Sequence, residues 1–172
     1  MIQIDNWLSQ YFSPKEAYRY LKPYNVKQLP QGFIYAKVDS HDVDSLNKLV
    51  LQGFNIIEVS LIFEQKNLIP SMLHPNSLLY RLATEKDEEK VLEIAQDAFT
   101  NSRFYQDPNI SKKLANDIKR DWVANYFSGK RGTNMVITEG ENDEIAGFML
   151  LIDNDIDLIA KSPLYLRKGV AL

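Results

Sequence analysis

Near its C-terminal end the sequence carries Tyr165-Leu166-Arg167-Lys168-Gly169-Val170-Ala171, which reads as a phosphate-cradling loop. A strand-like run, Asp157-Leu158-Ile159-Ala160-Lys161, leads through Ser162-Pro163 into this basic, glycine-containing turn. Successive backbone N–H groups in such a turn can converge on an anion just before a helix begins, where the helix dipole adds partial positive charge. That helix would follow Leu172, so the chain is expected to hold the loop without it. The plainer alternative makes 156–161 a buried strand and 166–171 a basic tail.

Other residue types that could do chemistry are sparse. Cysteine is absent, which removes disulfides, thiolate nucleophiles and cysteine-ligated zinc. The two histidines, His41 and His74, stand without partners at ligand spacing, and no metal site is expected. Asp153, Asp155 and Asp157 alternate without the Gly or Glu of a calcium loop and read as a solvated turn. Lys86 to Lys90 reads as a charged helix face.

These residues have to be positioned by a folded core. With 172 residues, 45% hydrophobic and 11% aromatic, the chain can bury one, as one domain or two small ones. A net charge of -3 with dispersed Lys and Arg argues against nucleic acid as a partner. The start Met1-Ile2-Gln3-Ile4-Asp5-Asn6-Trp7 lacks the features of a signal peptide, and no apolar run approaches the roughly 18 residues of a membrane span. We read the protein as cytoplasmic, with no membrane partner.

Residues 1–77 are expected to form a small N-terminal α/β domain. Ser13-Pro14-Lys15-Glu16 has the pattern of a helix start with a capping box. A β-α-β unit is then predicted: a strand over 33–38, a helix over about 40–52 stopped by Gly53, and a second strand over 54–63. Residues 67–76, with Pro70 and Pro75, read as a linker.

From 78 to 172 the predicted order is a strand at 79–83, a helix from about 86 to 99 capped by Thr84, a loop over 101–108, and a helix capped by Ser111. In the last of these Leu114, Ile118 and Trp122 recur, and Ser128-Gly129 ends it. Strands follow at 135–138, 145–152 and 156–161, separated by polar turns, as a three-stranded antiparallel meander. The fold class is therefore α/β in the α+β sense, a mixed and mainly antiparallel sheet flanked by helices.

That order, with the 157–163 run and the 165–171 loop, resembles the first half of a GNAT-superfamily N-acyltransferase domain. The family loop runs Gln or Arg, two residues, Gly, one residue, Gly or Ala. Gly169 and Ala171 match, and Leu166 stands at the Gln/Arg position. A narrower resemblance lies in Ala98-Phe99-Thr100-Asn101-Ser102-Arg103-Phe104-Tyr105-Gln106-Asp107-Pro108, followed by Ala115 and Trp122-Val123. It is similar to the fucosamine acetyltransferase branch, which acetylates the 4-amino group of a dTDP-linked amino-dideoxy sugar. Tyr35-Ala36-Lys37 and Leu51-Gln52-Gly53-Phe54-Asn55-Ile56-Ile57-Glu58 resemble the extra N-terminal domain of those enzymes.

The resemblance implies acetyl-CoA as cosubstrate and an amino sugar nucleotide as acceptor. Backbone groups of Leu158, Ile159 and Ala160 would pair with the pantetheine arm, and the N–H groups of Arg167, Lys168, Gly169, Val170 and Ala171 would hold the pyrophosphate. Arg103, between Ser102 and Phe104, could meet the sugar-nucleotide phosphate with its planar fork, or form a salt bridge to Asp107. Phe104 and Trp122 also suit the core. The family's acid for the departing thiolate would lie beyond Leu172, so no catalytic residue is assigned and the chain alone is expected to be inactive. The rival expectation is a noncatalytic binding or assembly module. An open edge on the last strand would favour a homo-oligomer.

Overall fold

The computed structural model describes residues 1–61, 79–140 and 144–152. Two compact units divide between Val59 and Ser60. The linker expected at 67–76, the boundary near 77 and the strand expected at 156–161 lie outside the described residues.

The first unit comprises β1 (Ile2–Ile4), α1 (Asn6–Phe12), β2 (Glu16–Tyr20), β3 (Gly32–Ala36) and α2 (Val43–Leu51). β2 is central, antiparallel to β1 with Ile2 opposite Tyr20, and parallel to β3 with Glu16 opposite Gly32. Asp5 caps α1, its carboxylate accepting the Leu8 N–H at 2.9 Å. The helix ends at Phe12, because a residue preceding proline is pushed out of the helical region.

Ser13-Pro14-Lys15-Glu16 is thus a helix exit rather than the predicted helix start. Asp5 supplies the cap, and Glu16 opens the central strand, where two ladders outweigh a local capping pattern. Tyr20, Tyr24 and Leu49 form the core of this unit.

α2 ends as the sequence indicates. Gly53, at φ +88°, donates to Val50 O at 2.9 Å, and Phe54 N–H donates to Leu49 O at 3.0 Å, a Schellman closure. The strand predicted at 54–63 is not found over 54–61; residues 62 and 63 lie outside the described set. Phe54 is committed to the helix end and to the Tyr20 ring, and β3 takes β2 as its parallel partner instead.

Lys22 Nζ sits 2.5 Å from Asp42 Oδ2, and Asp42 also caps α2 by accepting from Ser45 N–H at 3.2 Å. The Lys22 ammonium first, then the Ser45 hydroxyl and N–H, bring the Asp42 carboxyl down to about 2. A depressed carboxyl contributes stability above its unfolded pKa of about 3.9 and loses it as pH falls through the folded value. The first unit is therefore expected to lose thermal stability between about pH 4 and pH 2, with a shallower slope in Asp42→Asn, measured by circular dichroism melts.

The second unit follows the predicted order, except that the loop expected over 101–108 contains a short helix at Arg103–Gln106, where Ser102 O accepts from the Tyr105 and Gln106 N–H groups. β4 (Leu79–Leu82) leads through a 3-10 turn at Glu85–Asp87 into α3 (Glu88–Ala98), then α4 (Arg103–Gln106), α5 (Lys112–Phe127), β5 (Asn134–Glu139) and β6 (Ile145–Leu151). The sheet order is β4-β5-β6, antiparallel throughout, with Leu82 opposite Val136 and Met135 opposite Leu150. Met135 and Ile137 alternate inward from β5 and meet Val91, Leu92 and Ala95 of α3, Val123 of α5 and Leu150 of β6.

Ser111 caps α5 by accepting the Leu114 N–H at 3.2 Å, and Gly129, at φ +69°, lies just past its end. The fully buried α5 residues are Ala115, Ile118 and Val123; Leu114 and Trp122 flank that stripe half-buried. The protein is thus a mixed α+β fold. Among the described residues no helix is long and apolar enough to cross a membrane.

Candidate functional site

The loop between α3 and α5 is built by its own hydrogen bonds. Ser102 N–H donates to Phe99 O at 3.0 Å, and Ser102 O accepts from Tyr105 and Gln106 at 2.9 and 3.0 Å. Asp107 closes the other end, its carboxylate accepting from Asn109 N–H at 2.9 Å. The Tyr105 hydroxyl donates to Asn116 Oδ1, and the Asn116 amide donates to Asp97 at 3.1 Å, which ties the loop to α5 and α3.

This framework brings cations and aromatic rings together. Phe104 is buried, 5% exposed, and the Arg103 guanidinium lies 4.8 Å from its ring centroid. Lys119 of α5 reaches the same ring at 5.4 Å, Phe99 at 5.0 Å and Trp122 at 5.7 Å. Arg131 approaches Trp122 at 5.2 Å. The Ser102 hydroxyl is buried, with no hydrogen-bond partner among the described residues. The arrangement sets cationic side chains against aromatic rings, and the N–H groups of such cations suit an anion.

Of the residues named from sequence, Ser102, Arg103 and Phe104 fall in this patch. Phe104 acts from below, as the ring on which the charges rest. Leu158, Ile159, Ala160, Arg167, Lys168, Gly169, Val170 and Ala171 lie outside the described residues, as do His74, Asp153, Asp155 and Asp157. His41 is solvated, and its Nδ1 lies 3.0 Å from Oδ1 of Asp39, two residues before it in the chain. Among the described residues no group of three or more His, Cys, Asp or Glu is arranged to hold a metal.

Sequence reading missed Lys119 and Arg131. Lys119 had a usable signal, since it precedes Trp122 by three residues and so shares its helix face. Arg131 had none: it reaches the patch only because Lys130 and Arg131 N–H both donate to Asn125 O, at 2.8 and 3.0 Å.

A separate charged cluster is structural. Asp87, 6% exposed, accepts two hydrogen bonds from Arg81 at 2.8 Å, the Thr84 N–H at 2.7 Å and the Thr84 hydroxyl at 2.8 Å. Arg81 Nε also donates to Glu139 at 2.6 Å. The Arg81 guanidinium, with lesser help from Thr84, holds the Asp87 carboxyl well below the usual carboxylate range. Asp87 and then Glu139 raise Arg81 further above its ordinary value. The cluster pins β4 and β5 to the start of α3.

The described residues thus define an α+β protein with a cationic, aromatic patch on its second unit. The chain is similar to the spore coat polysaccharide biosynthesis protein SpsD of Bacillus subtilis (strain 168), 28% identical over 155 residues. The alignment covers 86% of this chain and 52% of SpsD, so the chain spans about half the length of the curated relative it matches. No family model matches the chain.

Proposed function

We propose that the chain contributes to a GNAT-type N-acyltransferase that acetylates the amino group of a nucleotide-linked amino sugar, within polysaccharide biosynthesis. The observation that carries this reading is the likeness of most of the chain to a polysaccharide biosynthesis protein. The antiparallel β4-β5-β6 sheet backed by α3 and α5, in the order the acyltransferase resemblance implies, supports it.

In the reaction the acceptor amine forms a C–N bond to the thioester carbonyl carbon, and the C–S bond to coenzyme A breaks. The amine nitrogen gives up a proton, and the departing thiolate takes one up. Main-chain groups of Leu158, Ile159 and Ala160 would align the pantetheine arm and polarise the carbonyl, where charge develops in the transition state. Main-chain N–H groups of Arg167 to Ala171 would hold the pyrophosphate of acetyl-CoA.

Ser102 and Arg103, with Phe104 beneath them, would receive the sugar nucleotide. Calorimetric titration with dTDP-4-amino-4,6-dideoxygalactose is expected to show saturable binding that Arg103→Ala weakens about tenfold, the value of one charge-assisted phosphate contact. Equal affinity in the two proteins would remove Arg103 from the acceptor site.

A further inference from the structure

We propose that Tyr105 and Asn116 are positioning residues for Arg103, holding the turn over 102–106 in the rotation from which the guanidinium meets the acceptor's phosphate. The proposal rests on the acyltransferase reading above and names what aims the charge at that site. α4 is a single turn of four residues, Arg103–Gln106, and a helix this short does not hold itself. Its orientation has to come from its neighbours.

Successive helix residues point about 100° apart, so Phe104 and Tyr105 anchor adjacent sides of the turn while Arg103 projects on the other side of Phe104. The buried Phe104 ring fixes the depth of the turn, with the Lys119 ammonium 5.4 Å from its centroid. One buried ring alone would let the turn roll about it. The Tyr105 hydroxyl removes that freedom by donating to Asn116 Oδ1 on α5, in a half-buried setting where water competes less for the bond. Asn116 and Lys119 lie one turn apart on α5, so adjacent residues of the short helix meet neighbouring positions on the long one.

The direction of the Asn116 amide is set in turn by α3. Asp97 accepts from Asn116 Nδ2 at 3.1 Å, and an ionised carboxylate can only accept, so the amide presents its oxygen to the tyrosine. Three elements thus fix one rotation, and the Arg103 guanidinium comes to lie 4.8 Å from the Phe104 centroid.

Calorimetric titration with dTDP-4-amino-4,6-dideoxygalactose tests this role through a double-mutant cycle. Tyr105→Phe, which removes one hydroxyl and keeps the ring, and Asn116→Ala are each expected to weaken binding about fivefold, the value of one hydrogen bond, and together no more than either alone. In an Arg103→Ala background Tyr105→Phe is expected to cost nothing further, because its effect passes through the arginine; a merely structural contribution would persist there. Hydrogen exchange at the Tyr105, Gln106 and Asp107 amides, which close the turn on Ser102 O and Arg103 O, should quicken in Tyr105→Phe while the amides of α5 keep their wild-type rates.

Equal affinity in wild type and Tyr105→Phe, a loss that persists undiminished when Arg103 is replaced, or unchanged exchange in the turn would each overturn the positioning role and leave the acyltransferase reading standing. Absence of binding by the wild-type chain would sink that reading and the role together.

Discussion

Replacing Asp87 with alanine is expected to destabilise the second unit by about 3 kcal/mol, more than any surface substitution in the chain. The carboxylate is 6% exposed and satisfies four donors: two from Arg81, the Thr84 N–H and the Thr84 hydroxyl. Removing it leaves the Thr84 N–H unpaired at the entrance to α3 and strips Arg81 of its principal partner. The Arg81 side chain is itself 40% exposed, so water recovers part of the loss, which keeps the expected cost at the lower end for a buried pair.

Asn at this position keeps an acceptor for the Thr84 N–H and should cost less than Ala. Arg81 depresses the Asp87 carboxyl, so its stabilisation is fully present above the unfolded value and fades as pH falls through the folded one. The gap between wild type and Asp87→Asn should therefore be constant above about pH 5 and narrow below about pH 4. Urea unfolding followed at Trp122 measures both. A loss under about 1 kcal/mol in Asp87→Ala would mean that water already satisfies the cluster.

Gly32→Ala is the second large effect, this time in the first unit. A Cβ at Gly32 would lie 2.3 Å from the carbonyl oxygen of Glu16 and 2.9 Å from Tyr18 Cε2. The oxygen is main chain in the central strand and cannot rotate aside, so β3 must move away from β2 at the first residue of their pairing. We expect a loss of about 2–3 kcal/mol, in the range of overpacking in a closed site. Gly53→Ala gives the contrast: at φ +88° with nothing within 4 Å of a new Cβ, it carries conformational strain alone, about 1 kcal/mol. Unfolding followed at Trp7 should rank Gly32→Ala as the more damaging; the reverse order would show that β3 shifts at little cost.

The second unit was legible because independent signals agreed. Ser111 and Gly129 bracket α5, Val91 and Ala95 mark the inner face of α3, and Met135 and Ile137 alternate as a half-buried strand must. The first unit was less so, because its elements are short. β1 has three residues and carries no periodic pattern, and Ser13-Pro14-Lys15-Glu16 satisfied a capping template while pairing in a sheet decided the outcome. The strand expected at 54–63 had suitable residues, but over 54–61 it does not form, and its first residue, Phe54, is drawn into the closure of α2 and onto the Tyr20 ring. At the candidate site, Arg103 and Phe104 were readable from a motif. Arg131 was not, because its place depends on main-chain bonds that fold the chain back onto α5.

The most direct measurement of the central claim is acceptor selectivity. Titration with dTDP-4-amino-4,6-dideoxygalactose and with the corresponding dTDP-sugar bearing a 4-hydroxyl should show saturable binding of both through the nucleotide. The amine should be favoured, and affinity for both should fall when Arg103 is replaced. Absence of saturable binding by any nucleotide-linked sugar, under conditions where both units are folded, would contradict the account.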